Sequence, residues 1–415
     1  MDLAVNDCKP IKNNLLKQAG YFLTVTLVII FMTRGWAEES NIGHQKEYQA
    51  RFEQGAKYFL SGKYFIAAGI FEQLYWETHS LRVKLEWARS LYFMGEKDKA
   101  KKLFEEVLAA NPPLSVRQKI VAFLDDIAIS NGKLDYDFGI VRDTNPRLVP
   151  NNTTFYIFGA PLTYKPQFDT SPKYGMSYSL SASRSLDNMD KLVGTISTYG
   201  IKFDSAIFDQ NTVQAALTYR LNDTPRVQAR LSFETMSYGG EHLYDYPSAS
   251  ISYATENVIG DYWTNEIKGG RLTYPVYSYL NGPLFSYTTS VSQYVSPQII
   301  MGVELYVDQM NALESPYAYA TNSVSLFSNF YQEYFRIKSQ LKFSYSSRKY
   351  DATDPFFGLK RSDKTNSVML TLLASEIKIF GGNPTLEIGY QKNNSNIGFY
   401  SYGKMTTSIY FKRAY

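Results

Sequence analysis

Cysteine is almost missing from this 415-residue chain: one is present, Cys8, and it lies ahead of the first apolar run. A framework of structural disulfides and thiol chemistry are therefore both excluded. Histidine is nearly as scarce, with His44, His79 and His242 alone, and no two of them share the i, i+4 spacing of a zinc-binding helix. His242 falls in the Gly239–Tyr246 stretch beside Glu241 and Asp245, where it reads as a solvated surface residue rather than a general base. A Gly-rich phosphate loop and a nucleophile elbow are also lacking, so neither an enzyme nor a cofactor or metal site is expected. Charge of one sign is missing too. The formal net charge is +4, which gives no nucleic-acid footprint. Past Met32 no apolar segment approaches the roughly 20 residues of a transmembrane helix.

What the chain does have begins with a leader. Lys9, Lys12 and Lys17 precede an apolar run from Gly20 to Met32, followed by Gly35-Trp36-Ala37. This order describes a secretory signal peptide over residues 1–37, with an uncleaved inner-membrane anchor as the alternative. Cleavage after Ala37 would start the mature chain at Glu38 and remove Cys8. It would also take away four basic and two acidic residues, leaving a formal charge of about +2.

Residues 38–133 change to a helical period. Gly55, Tyr58, Gly62, Tyr64, Ala67 and Phe71 mark one helix–turn–helix, and Gly95, Ala100, Phe104 and Pro112 a second. Ala67/Ala100, Phe71/Phe104 and Leu74/Val107 recur at a spacing of 33. The pattern resembles tetratricopeptide repeats, with an ordinary helical hairpin domain as the alternative. A third amphipathic helix over Leu114–Ile129 would cap the array before Asn131-Gly132. Such arrays present a concave groove, for which Phe52, Phe59, Arg82, Arg89 and Tyr92 are the candidates by position. The pair Asp125-Asp126 fits a solvated helix face.

Residues 134–415 read as short amphipathic strands dense in rings. The chain holds 35 Tyr and 26 Phe, with aromatics at 16%, yet mean hydropathy is −0.28. In Arg226–Thr235, Val227, Ala229, Leu231 and Phe233 oppose Arg226, Gln228, Arg230, Ser232 and Glu234. In Ile337–Ser346, Leu341, Phe343 and Tyr345 oppose Lys338, Gln340, Lys342 and Ser344. Alternation this sustained fits an antiparallel transmembrane β-barrel with lipid outside and water inside, since an open sheet would leave edge amides unpaired in hydrocarbon. A soluble all-β sandwich alternates in the same way, but its core would favour Val, Ile and Leu over so much Tyr. Turn clusters delimit about 15 candidate strands.

If both barrel ends lie on the periplasmic side the strand number is even, so the count becomes about 14, with 16 the alternative. The weakest candidates are Leu134–Val141 and Thr153–Lys165, because Pro146, Pro150 and Pro161 crowd that region. Long connections are expected at Tyr238–Pro247, Gln309–Tyr319 and Arg348–Lys364. The polar face places Arg226, Arg230, Glu234, Lys338, Lys342 and Glu387 in the lumen, either lining a wet channel or pairing inside it. Met405, Thr407, Ile409, Phe411, Arg413 and Tyr415 share one face of the last strand, with Phe411 and Tyr415 as candidate signals for barrel-assembly machinery.

Three stretches carry a family resemblance. They are Asp143-Thr144-Asn145, then Phe357-Gly358-Leu359-Lys360-Arg361-Ser362-Asp363, and Pro384-x-Leu386-Glu387-Ile388-Gly389-Tyr390 leading to Asn394-Ser395-Asn396-Ile397-Gly398-Phe399-Tyr400-Ser401-Tyr402. Together with the order leader, helical repeats, barrel, they resemble the surface lipoprotein assembly modulator (Slam) family of Gram-negative bacteria. That resemblance implies an outer-membrane protein with its helical domain in the periplasm. Its partners would be a client surface lipoprotein or secreted protein, outer-membrane lipids and barrel-assembly machinery, with no nucleic acid. The function expected is export or display of clients at the cell surface. The alternative is a porin-like or polysaccharide-export channel whose repeats dock other envelope proteins.

Overall fold

The computed structural model describes residues 39–412 except 158–159, 188–189, 224 and 257–261; the side chains of 39–45, 114–115, 223 and 256 also lie outside the description. The expected leader and Tyr415 fall outside the described residues. The chain divides into two compact units, with the boundary between Val107 and Leu108.

The first unit is helical. Its elements are α1 (Glu39–Leu60), α2 (Tyr64–Thr78), α3 (Leu81–Met94) and α4 (Lys97–Ala109). Ala67 and Ala100, and Phe71 and Phe104, occupy matching places in successive helices and are all fully buried. Gly55 is what lets α1 approach α2: a Cβ there would meet the Phe71 ring at 2.9 Å. The core gathers Ala67, Phe71, Leu74 and Val83, with Phe52 and Phe59 packed at its margin. Gly95 ends α3 at φ 93°, a left-handed conformation that a side chain would strain.

The second unit opens with α5 (Leu114–Asn131) and continues as strands. Fourteen of them close into an antiparallel barrel: β1 (Lys133–Asp143), β4 (Lys173–Ser185), β5 (Leu192–Phe203), β6 (Gln210–Asp223), β7 (Arg226–Tyr238), β8 (Glu241–Glu256), β9 (Tyr262–Leu272), β10 (Gly282–Ser296), β11 (Ile299–Met310), β12 (Tyr319–Gln332), β13 (Ile337–Thr353), β14 (Lys360–Ala374), β15 (Asn383–Ser395) and β16 (Tyr402–Lys412). The ring closes where β1 pairs β16, Asp137 opposite Lys412 through Asp143 opposite Thr406. Closure pairs every strand on both sides, which is what hydrocarbon demands of a sheet. The start of β1 and the end of β16 lie at the same end of the barrel, here called proximal; the other end is distal.

Along β4 exposure alternates residue by residue, and the large apolar side chains of the exposed set are Tyr174, Met176, Tyr178 and Leu180. Met176 is 68% exposed, Ile196 66%, Leu231 63% and Ile267 65%, on four different strands. An apolar belt running round the wall at that exposure is far more than a soluble surface carries, and its solvent is lipid. Among the described residues no helix is long and apolar enough to cross a membrane.

Two long connections are shorter than expected. That at Arg348–Lys364 shrinks to residues 354–359, because β13 runs on to Thr353 and β14 begins at Lys360. Of the two weakest strand candidates, Leu134–Val141 lies in the wall as β1, while Thr153–Lys165 folds as a separate hairpin of β2 (Thr154–Ile157) and β3 (Ala160–Thr163) in the distal connection between β1 and β4. Pro161 has no N–H to give a ladder, which keeps so short a strand out of the wall. The long connection expected at Tyr238–Pro247 is a tight hairpin instead, with β7 and β8 joined by Gly239-Gly240 at φ 62° and 84°. Two central residues at positive φ make the turn whose twist matches the strands, so pairing continues to Tyr238 opposite Glu241.

Candidate functional site

In the helical unit the candidate groove residues meet in pairs. The Arg82 guanidinium lies 4.6 Å from the Phe52 ring centre, and Arg89 lies 4.8 Å from that of Phe59. Each pair joins α1 to α3, the first helices of the two hairpins. Arg89 is also held by Glu86 at 2.8 Å. Tyr92 sits one turn further along α3, its ring edge-on to Phe93 at 5.2 Å. A guanidinium stacked on a ring while half exposed keeps donors turned to solvent and an apolar face beside them. Such a face suits an extended peptide.

Inside the barrel four of the polar candidates are paired, each with a residue outside the candidate set. The Arg230 guanidinium donates to Gln214 Oε1 at 3.0 Å, and Glu234 accepts from the Tyr244 hydroxyl at 2.8 Å. Lys342 Nζ donates to Glu304 at 2.8 Å, and Glu387 accepts from the Tyr410 hydroxyl at 3.4 Å. Arg226 and Lys338 stand apart from this set. Both sit at the proximal rim and face α5: Arg226 is 3.7 Å from Asp126, and Lys338 lies in the field of Arg117.

Helix α5 lies across the proximal end. Asp126 accepts from the Arg220 guanidinium of β6 at 2.8 Å, with both side chains mostly buried. Asp125 pairs with Lys133 at 3.2 Å. Toward its other end, Gln118 accepts from the Tyr294 hydroxyl of β10 at 2.5 Å, and Arg117 sits 5.5 Å from the Tyr331 ring centre on β12. In the ring order β6 and β12 are six strands apart, so these contacts tie the helix to nearly opposite walls. Asp126 thus departs from its expected place on a solvated helix face: its carboxylate is 15% exposed and shared between two arginines.

The first two stretches that carried the resemblance and the Asn394–Tyr402 end of the third meet at the distal end, whereas Pro384–Tyr390 runs up β15 from the proximal end. Asp143 is 2% exposed and pairs with Lys404 at 2.7 Å. The Thr144 hydroxyl accepts from Met405 N–H, and Asn145 Nδ2 donates to the carbonyls of Val149 and Gly403. Asn396 bridges back to β14 through Ser362 N–H at 2.7 Å and the Lys360 carbonyl at 2.8 Å. The Tyr400 hydroxyl donates to Asp354 at 2.7 Å while Arg361 stacks on its ring at 3.4 Å and pairs with Asp363 at 2.7 Å. Burial first, and then the Asp354 carboxylate, push the Tyr400 phenol up, so it stays a neutral donor. Phe399 packs edge-on to Phe155 of the β2–β3 hairpin at 5.3 Å and lies beside Phe357 at 5.6 Å. The cluster locks three loops together.

Sequence reasoning did not single out Asp354, Lys404 or Arg147, whose guanidinium stacks among Phe168, Phe208 and Tyr238 and donates to the Ile207 carbonyl at 2.9 Å. Only spatial neighbours give these residues meaning. His242 is exposed and contacts Asp245 at 2.9 Å and the Thr235 hydroxyl at 3.2 Å. Among the described residues no cluster has the make-up of a metal site. Phe411 packs on Phe138 at 5.3 Å and Phe380 at 5.8 Å beside the closing seam.

Solved structures similar to this chain are outer-membrane proteins. The loop-deleted OmpT of Vibrio cholerae is 8% identical, with 68% of this chain and 99% of that one covered at a TM-score of 0.36. The outer membrane channel DcaP of Acinetobacter baumannii is 9% identical, with 68% and 96% covered at 0.40. A bacterial polysaccharide outer membrane secretin is 10% identical, with 67% and 98% covered at 0.35. No curated protein matches the chain. The model of one family, described as surface lipoprotein assembly modifier, matches residues 133–415, which is the whole barrel and more than half of the sequence. The chain belongs to the surface lipoprotein assembly modifier family.

Proposed function

We propose that this protein exports or displays client lipoproteins or secreted proteins at the cell surface, with the helical unit in the periplasm receiving the client and the barrel passing it outward. Family membership supports a role in surface lipoprotein assembly. The observation that carries client reception is the half-exposed face of Phe52/Arg82 and Phe59/Arg89 on α1 and α3. Its ring faces offer apolar contact to side chains of an extended segment, and its guanidinium edges offer donors to backbone carbonyls and carboxylates. Helix α5, fastened to two walls, is the closure that a client must displace.

A photo-crosslinking amino acid placed at Tyr92 of the full-length protein tests this in intact cells. An adduct with a lipoprotein that also requires this protein for surface exposure supports the reading. A client that reaches the surface without forming any adduct, beside a barrel that conducts freely, overturns it in favour of a channel.

A further inference from the structure

We propose that a shallow groove on the lipid-facing wall of β4–β7, near the proximal end, is a binding site for an anionic phospholipid. The inference rests on the barrel standing in a membrane and does not depend on the export reading.

The register of the sheet builds the groove. One row runs Leu134, Ala182, Ile196, Ala215, Phe233 across β1 and β4–β7. The next row toward the proximal turns runs Arg184, Gly194, Leu217, Leu231. Paired residues in adjacent strands point to the same side, and here it is the outer one, since Leu134, Ile196, Leu217, Leu231 and Phe233 are all exposed. Ala182, Gly194 and Ala215 form a low floor between these larger side chains. Gly194 is closely roofed: a Cβ there would meet Leu186 at 3.1 Å. The resulting hollow has a volume of about 890 Å³ and a lining that is almost wholly apolar. Elsewhere a lipid-facing wall needs only a rough apolar surface. A hollow of this size offers a lipid chain more concave apolar contact than a flat wall does.

The headgroup end is set by Arg184. It is exposed on the outer face, its stem lying 4.0 Å from the place of a Cβ on Gly132, and it has no carboxylate partner among the described residues. An unpaired guanidinium at the edge of an apolar hollow is matched by an amphiphile with a phosphate at one end, which it binds through two parallel hydrogen bonds. It stands one residue before β4 ends at Ser185, at the proximal edge of the wall, where arginine is tolerated near an interface. Charge complementarity selects an anionic headgroup over a zwitterionic one.

The test reconstitutes the full-length protein in vesicles of phosphatidylethanolamine containing phosphatidylglycerol, extracts it in mild detergent and weighs the retained lipid by native mass spectrometry. Wild type should retain phosphatidylglycerol in preference to phosphatidylethanolamine. Arg184→Glu should lower that preference about tenfold, the loss of one charge-assisted contact. Ala215→Phe, which fills the floor without touching the charge, should lower retention of both lipids. Each variant should still migrate as a compact barrel before heating, which excludes misfolding as the cause. Equal retention of the two lipids by wild type, or unchanged retention in both variants, overturns the site. Because bound lipid is the readout, this inference and the export reading fail separately.

Discussion

Asp126 on α5 and Arg220 on β6 meet at 2.8 Å although 94 residues separate them, and the contact fixes a helix across one end of the barrel. Both side chains are largely withdrawn from water, so removing one partner strands the other charge at a cost of roughly 2–4 kcal/mol. Asp126→Ala should loosen α5 and give step openings in planar bilayers that wild type lacks. The charge swap Asp126→Arg with Arg220→Asp should restore the quiet state only in part, because Arg226 then faces a like charge. Equal currents from wild type and Asp126→Ala would show that the helix does not close the conduit.

At the distal end, Tyr400→Phe removes the hydrogen bond to Asp354 and leaves that carboxylate short of a donor. The expected loss is about 1–2 kcal/mol, read as a lower temperature for converting the compact gel band to the unfolded one. Arg361→Ala should cost more, since it removes both the ring stack and the Asp363 ion pair, and Arg361→Lys should not rescue the stack.

The closing seam has its own requirement. A Cβ on Gly139 would come within 2.3 Å of the Ile409 carbonyl oxygen and 2.5 Å of the Tyr410 Cα, so backbone would have to move. Gly139→Val should sharply reduce the yield of compact barrel in membranes. The outward-facing Ile140→Val, one residue along and 63% exposed, should leave the yield unchanged.

The distal connection carries a pH dependence. A hydrogen bond from Lys173, then side-chain and backbone hydrogen bonds from Ser171, hold the Asp169 carboxyl well below the usual carboxylate range. A depressed folded pKa gives order that is present above the ordinary Asp value and is lost as pH falls through the folded one. Amide exchange at Ser171, whose N–H donates to Asp169 at 2.9 Å, should therefore quicken in strong acid relative to the amides of β4 once intrinsic rates are divided out. Asp169→Asn should remove the difference.

The barrel was legible because its signal is local. Alternation in Arg226–Glu234 and Ile337–Ser346 shows which side chains share a face, and parity settles an even strand number without any knowledge of closure. The Gly239-Gly240 turn was also written in the chain, but surrounding polar residues masked it as a long loop. What local reading could not reach is pairing at distance. Asp126 looks solvated until Arg220 and Arg226 are brought to it by the ring closing. Asp143, Asn396 and Tyr400 are separate in sequence, and only the even winding of strands sets them at one end. The candidate groove lay between these cases: helical spacing placed Phe52 and Phe59 on one helix and Arg82 and Arg89 on another, while their pairing needed the packing of α1 on α3.

If the α1–α3 face receives clients, their display at the cell surface should depend on its charge. The direct measurement is protease shaving of whole cells that express this protein with a candidate lipoprotein client, comparing wild type with Arg82→Glu/Arg89→Glu. Both arginines lie on the ring-stacked face rather than in the buried core, so the barrel should keep its heat-dependent gel shift. The account predicts that surface-exposed client falls several-fold while total client is unchanged. Full exposure of the client with both arginines reversed in charge, and with the variant correctly inserted, would contradict it.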